Sequence, residues 1–228
     1  MIIEASAIEK WYFRGKADTN RFFAVNRTDL TLEPGKVTVL TGRSGSGKTT
    51  VMNIMSGLLS PDGGKVLADG KDLYAQDDRT LSEFRNMHFG MIPQGADVLP
   101  HLTVMENILL PRGICGRRDP KGTDSAGKAQ KLLECMGTGQ LADVRAGELS
   151  GGERRRVCVA RALAGRPDVI FADEPTSDLD DENMQTVLQM LRGAADAGAA
   201  VLIVSHDSEA LDYADVRLRM NSGVLESI

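Results

Sequence analysis

A glycine-rich stretch, GRSGSGKTT at residues 42–50, constrains the fold of this chain more than any other part of the sequence. It follows the apolar run VTVLT (37–41) and precedes a helix-like pattern, the context that the phosphate-loop motif G-x-x-x-x-G-K-[ST] requires. The glycines let backbone N–H groups surround phosphates, Lys48 supplies a positive charge, and Thr49 supplies a hydroxyl for Mg²⁺. The motif predicts a nucleotide site, but kinases, GTPases and ATPases all use it.

Two other apolar runs end at polar residues in the same way, DVIFA (168–172) and AAVLIVS (199–205). Such runs are typical of strands buried in a parallel sheet, and the helical patterns around them predict helices on its faces. The opening third instead contains IIEASAI, the alternating FAVNRTDLTL and VLADG after a PDGG turn. These segments predict antiparallel strands joined by turns. We therefore expect an α/β fold with an antiparallel β subdomain near the N-terminus.

The middle of the chain is mostly helical in pattern, with VMENILLP and LLECMG as clear segments. We expect a mainly helical subdomain at 86–164, inserted into a catalytic core formed by 1–85 and 165–228. A chain of 228 residues is long enough to bury a proper interior, and we expect one domain over 1–228.

Charge and hydropathy exclude several classes of protein. The formal charge of −5, with 27 basic and 32 acidic residues, argues against a nucleic-acid binder, which would need a basic surface. The longest apolar runs are far short of the roughly 20 residues that span a bilayer, and the first residues do not resemble a signal peptide.

Three widely spaced cysteines, Cys115, Cys135 and Cys158, are expected to be reduced.

Two carboxylates follow the apolar run VIFADE at 169–174. An acidic residue in this place helps to hold Mg²⁺ in phosphate-loop proteins, a role that we assign to Asp173. Glu174 is then free to accept a hydrogen bond from an attacking water and act as its base. Pro175 favours an extended backbone at Glu174, which would aim the side chain forward.

The stretch LSGGE at 149–153 begins a long helical pattern. Ser150 and Glu153 have the spacing of a capping box, which explains a helix start but not the two glycines between them. Each glycine costs about 1 kcal/mol in a helix relative to alanine. Gly151 and Gly152 leave bare N–H groups at the positive end of the helix dipole, which suits a phosphate.

With GRSGSGKTT, LSGGE and VIFADE, the chain resembles the nucleotide-binding subunits of ABC transporters over essentially its whole length. The resemblance implies a P-loop NTPase (RecA-like) core with the inserted helical subdomain. It implies that Gln94 contacts Mg²⁺ and the attacking water, and that His206 contacts the γ-phosphate. The aromatic residue that stacks on adenine is assigned to Tyr12, with its neighbours Trp11 and Phe13 as alternatives.

The resemblance implies an ATP hydrolase that uses ATP and Mg²⁺ as ligands. The implied catalytic residues are Lys48, Gln94, Glu174 and His206. The implied Mg²⁺ ligands are Thr49, Gln94 and Asp173. The implied nucleotide contacts are Tyr12, Gly42, Arg43, Ser44, Gly45, Ser46, Gly47, Lys48, Thr49, Thr50, Ser150, Gly151, Gly152, Glu153 and Asp180.

In this family two subunits pair head to tail, so that LSGGE of one closes over the ATP of the other. The expected partners are therefore a second copy of the chain and an integral membrane permease, with no nucleic acid. We expect the permease to dock along the segment from Gln94 to Glu106, which would hold the protein at the cytoplasmic face of the membrane.

Glu153 stands where the broad family usually has glutamine, and LSGGERRRV resembles the LolD/MacB-type subgroup of lipoprotein-release and macrolide-export systems. This favours an exporter or extractor. The alternative is an FtsE-like ATPase that transmits force to a cell-division partner without moving a cargo. Soluble ABC-type ATPases normally have coiled-coil inserts or two cassettes, and a small-molecule kinase would leave LSGGE without a role, so both are disfavoured.

Overall fold

A computed structural model describes residues 1–13, 21–114 and 124–228 of the chain. Within these residues there are ten β-strands and six α-helices. The strands are β1 (Ile3–Phe13), β2 (Arg21–Leu32), β3 (Val37–Gly42), β4 (Gly63–Ala68), β5 (Lys71–Asp72), β6 (Phe89–Ile92), β7 (Val169–Asp173), β8 (Ala200–Val204), β9 (Val216–Asn221) and β10 (Val224–Ser227).

The helices carry most of the middle of the chain, and none of those described is long and apolar enough to cross a membrane. They are α1 (Lys48–Met55), α2 (Asp78–His88), α3 (Val104–Ile114), α4 (Ser125–Cys135), α5 (Gly151–Ala164) and α6 (Asp181–Asp196). Single 3₁₀ segments occupy Leu73–Ala75, Gly139–Leu141, Ala146–Glu148 and Ser208–Tyr213. Cys135 and Cys158 are free thiols, as predicted, and Cys115 lies outside the described residues.

The strands form two sheets, which confirms the predicted α/β class with an antiparallel β subdomain. The first has the order β2-β1-β4-β5 and its pairs are antiparallel. The second has the order β10-β9-β3-β8-β7-β6, and all of its pairs are parallel except β10 with β9.

The register of the parallel strands positions the residues that follow them. Leu40 of β3 and Asp173 of β7 both pair with Val204 of β8. The carboxyl ends of the three strands therefore meet at one edge, where ligands bind in open α/β sheets. The phosphate loop, Glu174 and His206 leave the sheet at this edge.

Two apolar clusters cover opposite faces of the parallel sheet, because alternate residues of a strand point to opposite sides. Val39 and Ile203 pack in one cluster with residues of α3, α4, α5 and α6. Leu40 and Leu202 pack in the other with α1 and the antiparallel sheet. The site edge is thus anchored by strands that are buried on both faces.

One short strand lies inside the segment predicted to be helical. Phe89–Ile92 forms β6 and pairs in parallel with β7. We propose that the mainly helical part of the chain begins after this strand, at about residue 93, and not at residue 86. The division of the single domain into core and helical subdomain otherwise remains a prediction.

Candidate active site

The phosphate loop joins β3 to α1 through two glycines that no other residue could replace without movement. Gly42 has φ +149° and Gly47 has φ +111°. A Cβ atom on Gly42 would lie 2.4 Å from the carbonyl oxygen of Met220, and one on Gly47 would lie 2.1 Å from that of Ala24. The loop therefore packs directly on neighbouring backbone, and this fixes its shape.

The polar groups of the loop suit an anionic ligand. Lys48 Nζ donates to the carbonyl oxygens of Gly42 (2.8 Å) and Arg43 (3.3 Å), so its charge is held over the loop. The hydroxyl of Ser46 is buried and has no hydrogen-bond partner among the described residues. Val51 N–H bonds back to Gly47 (3.0 Å), and the amides before it belong to the helix start that commonly binds phosphate. A phosphate oxygen would satisfy these donors.

The predicted Mg²⁺ ligands Thr49 and Asp173 are in contact. Thr49 Oγ1 donates to Asp173 Oδ2 at 2.7 Å, and burial raises the pKa of Asp173 above its ordinary value despite this hydrogen bond. A hydroxyl and a carboxylate suit Mg²⁺, which commonly takes its remaining ligands from water and substrate phosphates. The described residues hold no cluster of three or more His, Cys, Asp or Glu side chains that would form a cage made of protein alone. The donor set therefore fits a nucleotide-bound Mg²⁺.

Glu174 is buried, with 8% of its surface exposed, and its carboxylate faces His206. Oε2 lies 2.8 Å from His206 Nδ1 and accepts a longer hydrogen bond of 3.3 Å from Ser205 Oγ. The hydrogen bond with Glu174 and the negative charge of that carboxylate raise the pKa of His206, and Asp207 adds to the effect. When Nδ1 carries a proton, His206 donates to the predicted base.

The backbone of Glu174 is not extended, so the prediction drawn from Pro175 is wrong. Its φ is +48°, a left-handed conformation that is unfavourable for a residue with a side chain. Glu174 N–H donates to Val204 O (2.8 Å), and Ser177 Oγ donates to Glu174 O (3.0 Å). These contacts hold the residue in a conformation that its own sequence neighbours do not favour, as is common at functional sites.

The aromatic residues near the N-terminus divide between the two faces of the β1–β2 hairpin. The ring of Tyr12 lies 5.9 Å from that of Phe22, and both residues line the cavity above the phosphate loop. Trp11 is covered instead by the guanidinium of Arg21, 3.7 Å from the ring centroid, and does not line this cavity; neither does Phe13. This arrangement favours Tyr12 among the three predicted alternatives. Phe22 was not predicted from the sequence, although it stands opposite Tyr12 in the register.

Most of the predicted site residues line one cavity of about 760 Å³ in this chain. Its lining consists of Tyr12, Phe22, Ala24, Gly42, Arg43, Ser44, Gly45, Ser46, Gly47, Lys48, Thr49, Thr50, Gln94, Asp173, Glu174, Ser177 and His206. The predicted contacts Ser150, Gly151, Gly152, Glu153 and Asp180 are not part of this lining.

The predicted contacts outside the cavity lie at the N-termini of α5 and α6. The predicted capping box is confirmed: Ser150 Oγ accepts from Glu153 N–H (3.3 Å), and Glu153 Oε2 accepts from Ser150 N–H (2.8 Å). The hydrogen bonds from Ser150 lower the pKa of Glu153. A Cβ atom on Gly151 would meet open space, so this helix start is accessible. Asp180 caps α6 by accepting from Asn183 N–H (2.9 Å).

Arg155 of α5 is a further residue that the sequence analysis missed. Its side chain is buried and donates to the backbone oxygens of Pro93 (2.7 Å) and Gln94 and to Ser177 Oγ (2.7 Å). The only signal in the sequence is the run ERRRV, which places three arginines in a helix whose other face is apolar.

Comparisons with known proteins agree with this geometry. The family described as ABC transporter matches residues 25–177. The lipoprotein-releasing system ATP-binding protein LolD of Shewanella sp. (strain MR-7) is 35% identical over 229 residues, covering 100% of this chain and 96% of the relative. The probable syringafactin export ATP-binding/permease protein SyfD of Pseudomonas syringae pv. syringae (strain B728a) is 35% identical over 222 residues, covering 97% of this chain and 33% of the relative.

Among solved structures, the ATP-binding cassette MJ0796, in a dimeric post-hydrolysis state bound to ADP and Pi, superimposes with a TM-score of 0.89. It is 28% identical, and the match covers 99% of this chain and 98% of that one.

Proposed function

Because this chain belongs to the ABC transporter family, we propose that its ATP hydrolysis drives a separate membrane permease of the LolD/MacB type, which exports its cargo or extracts it from the membrane. The observation that carries this proposal is the cavity of about 760 Å³, which unites a phosphate loop, Asp173 and the Glu174–His206 pair. The two relatives named for lipoprotein release and for export by an ATP-binding/permease protein support the transport class.

The site suits attack of water on the γ-phosphate of ATP. Glu174 accepts the proton of the attacking water as general base, and Gln94 orients that water. Lys48 and His206 stabilise the negative charge that spreads over the transferred phosphoryl group. Thr49, Asp173 and Gln94 would hold Mg²⁺, which when bound neutralises charge on the phosphate oxygens.

We propose that the active unit is a dimer of this chain. Ser150, Gly151 and Gly152 present amides and a hydroxyl at an accessible helix start but do not line the cavity of their own chain. A second copy that brings this helix start to the nucleotide would complete the site, and two-fold pairing would create two identical sites. The dimeric state of the MJ0796 cassette supports this arrangement.

A cleft of about 450 Å³ suits docking of the permease. Leu58 and Met87 are exposed apolar side chains at this cleft, and Phe89, Met91, Pro93 and Ile108 also line it. Its lining brackets the segment from Gln94 to Glu106 that the sequence analysis assigns to docking. A peripheral position at the cytoplasmic face of the membrane follows from such a complex.

The Glu174→Gln variant tests the assigned chemistry. Glutamine keeps the shape but cannot accept the proton, so we expect hydrolysis to fall by about 10²–10⁴-fold while ATP still binds. With Mg-ATP the variant should elute as a dimer in size-exclusion chromatography with light scattering. Glu226→Gln, an exposed change on β10, serves as the control and should behave as wild type. Hydrolysis by Glu174→Gln at the wild-type rate would show that Glu174 is not the base.

The membrane role is tested by purifying the tagged protein from gently solubilised membranes of its host and identifying its partners by mass spectrometry. We expect a permease with few spans and a large external domain. Recovery with a division-site membrane protein would select the FtsE-like alternative, and recovery with soluble partners only would contradict the membrane role.

A further inference from the structure

Arg155 is a buried cation at the meeting point of three segments. Arg155 is only 2% exposed, and it lies on α5, two residues after Glu153 of the capping box. No ion pair of Arg155 occurs among the described residues, and the acceptors of its guanidinium are neutral oxygens. Burying a cation without a carboxylate is costly, and Nε of Arg155 is buried with no hydrogen-bond partner among the described residues. The bonds to the neutral oxygens therefore offset only part of this cost.

The acceptors belong to two turns that follow neighbouring strands. One nitrogen of the guanidinium donates to Pro93 O, and the other donates to Gln94 O and Ser177 Oγ. Pro93 and Gln94 follow β6, while Ser177 follows β7. A planar guanidinium holds several acceptors in one fixed arrangement, which an ammonium group cannot do.

The contact with Ser177 continues to the proposed base. Ser177 Oγ accepts from Arg155 and donates to the carbonyl oxygen of Glu174 at 3.0 Å. The same carbonyl accepts from Ser177 N–H at 3.2 Å. Arg155 is therefore joined directly to the backbone of Gln94 and, through one hydroxyl, to the backbone of Glu174.

We propose that Arg155 is a positioning residue for ATP hydrolysis, which fixes the backbone of Gln94 relative to that of Glu174. The inference rests on the catalytic roles proposed above for those two residues. Arg155 itself does not line the nucleotide cavity. It acts by setting the separation between the group that orients the attacking water and the group that takes its proton.

This role predicts a loss of turnover without a loss of nucleotide binding. Among the described residues Arg155 makes no hydrogen bond to the phosphate loop or Tyr12, and it does not line the cavity, so ATP affinity should be retained. We expect Arg155→Gln to lower kcat by about 10- to 100-fold, because misplacement of a catalytic group by about 1 Å has effects of this size. The Kd for ATP, measured by calorimetry on the full chain, should change by less than about threefold, as expected for a residue that acts only after binding.

Two variants separate positioning from charge. Arg154→Gln removes the same charge from the preceding residue of α5, which has no hydrogen bond to Gln94 or Ser177, and should keep kcat within about twofold. Arg155→Lys keeps the charge but loses the planar fork, so its kcat should lie between those of wild type and Arg155→Gln. Wild-type kcat in Arg155→Lys would contradict a role that depends on the fork.

A double-mutant cycle with Gln94→Ala tests the direct link. If Arg155 acts by placing Gln94, its substitution should cost much less in the Gln94→Ala background than in wild type. Equal fold-losses in the two backgrounds would show a merely structural effect and overturn the inference.

Ser177→Ala keeps the test decisive if Arg155→Gln does not fold, which thermal unfolding will reveal. This change removes one hydroxyl and should lower kcat by about three- to tenfold at unchanged ATP affinity, in line with the loss of one hydrogen bond. If Arg155→Gln folds and has the wild-type kcat, the inference is overturned. If Arg155→Gln does not fold, a wild-type kcat in Ser177→Ala overturns it. If Glu174→Gln still loses turnover in that case, the proposed function stands and only the role of Arg155 fails.

Discussion

The two neighbouring carboxylates at the end of β7 have different partners, and this suits the different roles proposed for them. Asp173 accepts from Thr49, whereas Glu174 faces His206. One is thus placed towards the residues that would hold Mg²⁺, and the other towards the group that would meet the γ-phosphate. Two adjacent carboxylates can take separate tasks when their environments differ in this way.

We predict that the pKa of His206 falls in the Glu174→Gln variant. The hydrogen bond and charge of Glu174 are the main causes that raise this pKa; Asp207 contributes less, and burial and Lys48 oppose them. A neutral amide removes the main causes, so the pKa should move towards the ordinary value of about 6.5. A histidine NMR titration of the nucleotide-free protein will measure it. An unchanged His206 titration would show that the pair does not form in solution.

The same pair makes stability depend on pH with a defined sign. Because the folded protein raises the pKa of His206, the contribution is complete below the unfolded value of about 6.5. It is lost as the pH rises through the folded pKa. The unfolding free energy of wild type relative to Glu174→Gln should therefore decrease across this window, and 66% exposure of the histidine side chain keeps the effect small.

The sequence predicts residues well where a motif dictates both identity and geometry. Lys48, Thr49 and Asp173 lie together as the phosphate-loop pattern requires. The backbone of Glu174 could not be predicted from its neighbours. Its N–H donates to Val204 O and its carbonyl oxygen accepts from Ser177 Oγ, and these bonds override the preference set by Pro175. Arg155 was missed for a similar reason, since its acceptors are carbonyl oxygens that a sequence does not display.

Among the elements, α5 combines an ordinary helix cap with an unusual start. The reciprocal bonds of Ser150 and Glu153 stabilise the helix, while Gly151 leaves its first turn uncovered. The cap thus offsets part of the free-energy cost of placing glycines in the first turn of a helix.

We predict that Glu153→Gln lowers the unfolding free energy by about 0.3–1 kcal/mol at pH 7, because a carboxylate at a helix N-terminus interacts favourably with the helix dipole. Since the folded protein lowers the pKa of Glu153, this contribution is present above the unfolded value of about 4.3 and is lost as the pH falls through the folded pKa. Chemical denaturation at several pH values will measure the difference between variant and wild type.

Glu148→Gln, an exposed change just before this helix, is the control and should differ little from wild type. A difference between Glu153→Gln and wild type that stays constant down to pH 3 would contradict the assignment.

Strand β6 shows why element boundaries were harder to predict than element types. Phe89–Ile92 is only four residues long and follows directly on α2. Its identity as a strand depends on pairing with β7, a contact between residues about 80 positions apart. The longer runs of β3, β7 and β8 were predicted because their composition alone indicates burial.

At the scale of the whole molecule, the nucleotide cavity and the proposed docking cleft meet next to strand β6. The nucleotide cavity lies at the carboxyl edge of β3 and β7, while the cleft with Leu58 and Met87 lies beside β6. Pro93 lines this cleft, and the next residue, Gln94, lines the cavity. The proposed docking surface and the proposed site of hydrolysis are therefore joined through one short turn.

We predict that Met87→Glu abolishes co-purification with the membrane partner while hydrolysis by the isolated protein is retained. Met87 is 45% exposed in the cleft, so a carboxylate there is tolerated by the fold but opposes an apolar contact. Val224→Glu, an equally exposed change on β10 outside the cleft, is the matched control. Full recovery of the partner with Met87→Glu would place the docking surface elsewhere.

At position 174 the residue that best suits the left-handed backbone differs from the residue that the proposed hydrolysis needs. Glycine adopts this conformation without the roughly 1 kcal/mol penalty that a side chain incurs, so mutation to glycine would relax the turn as it removes the proposed base. Selection for a long-lived protein and selection for a working one therefore favour different residues here.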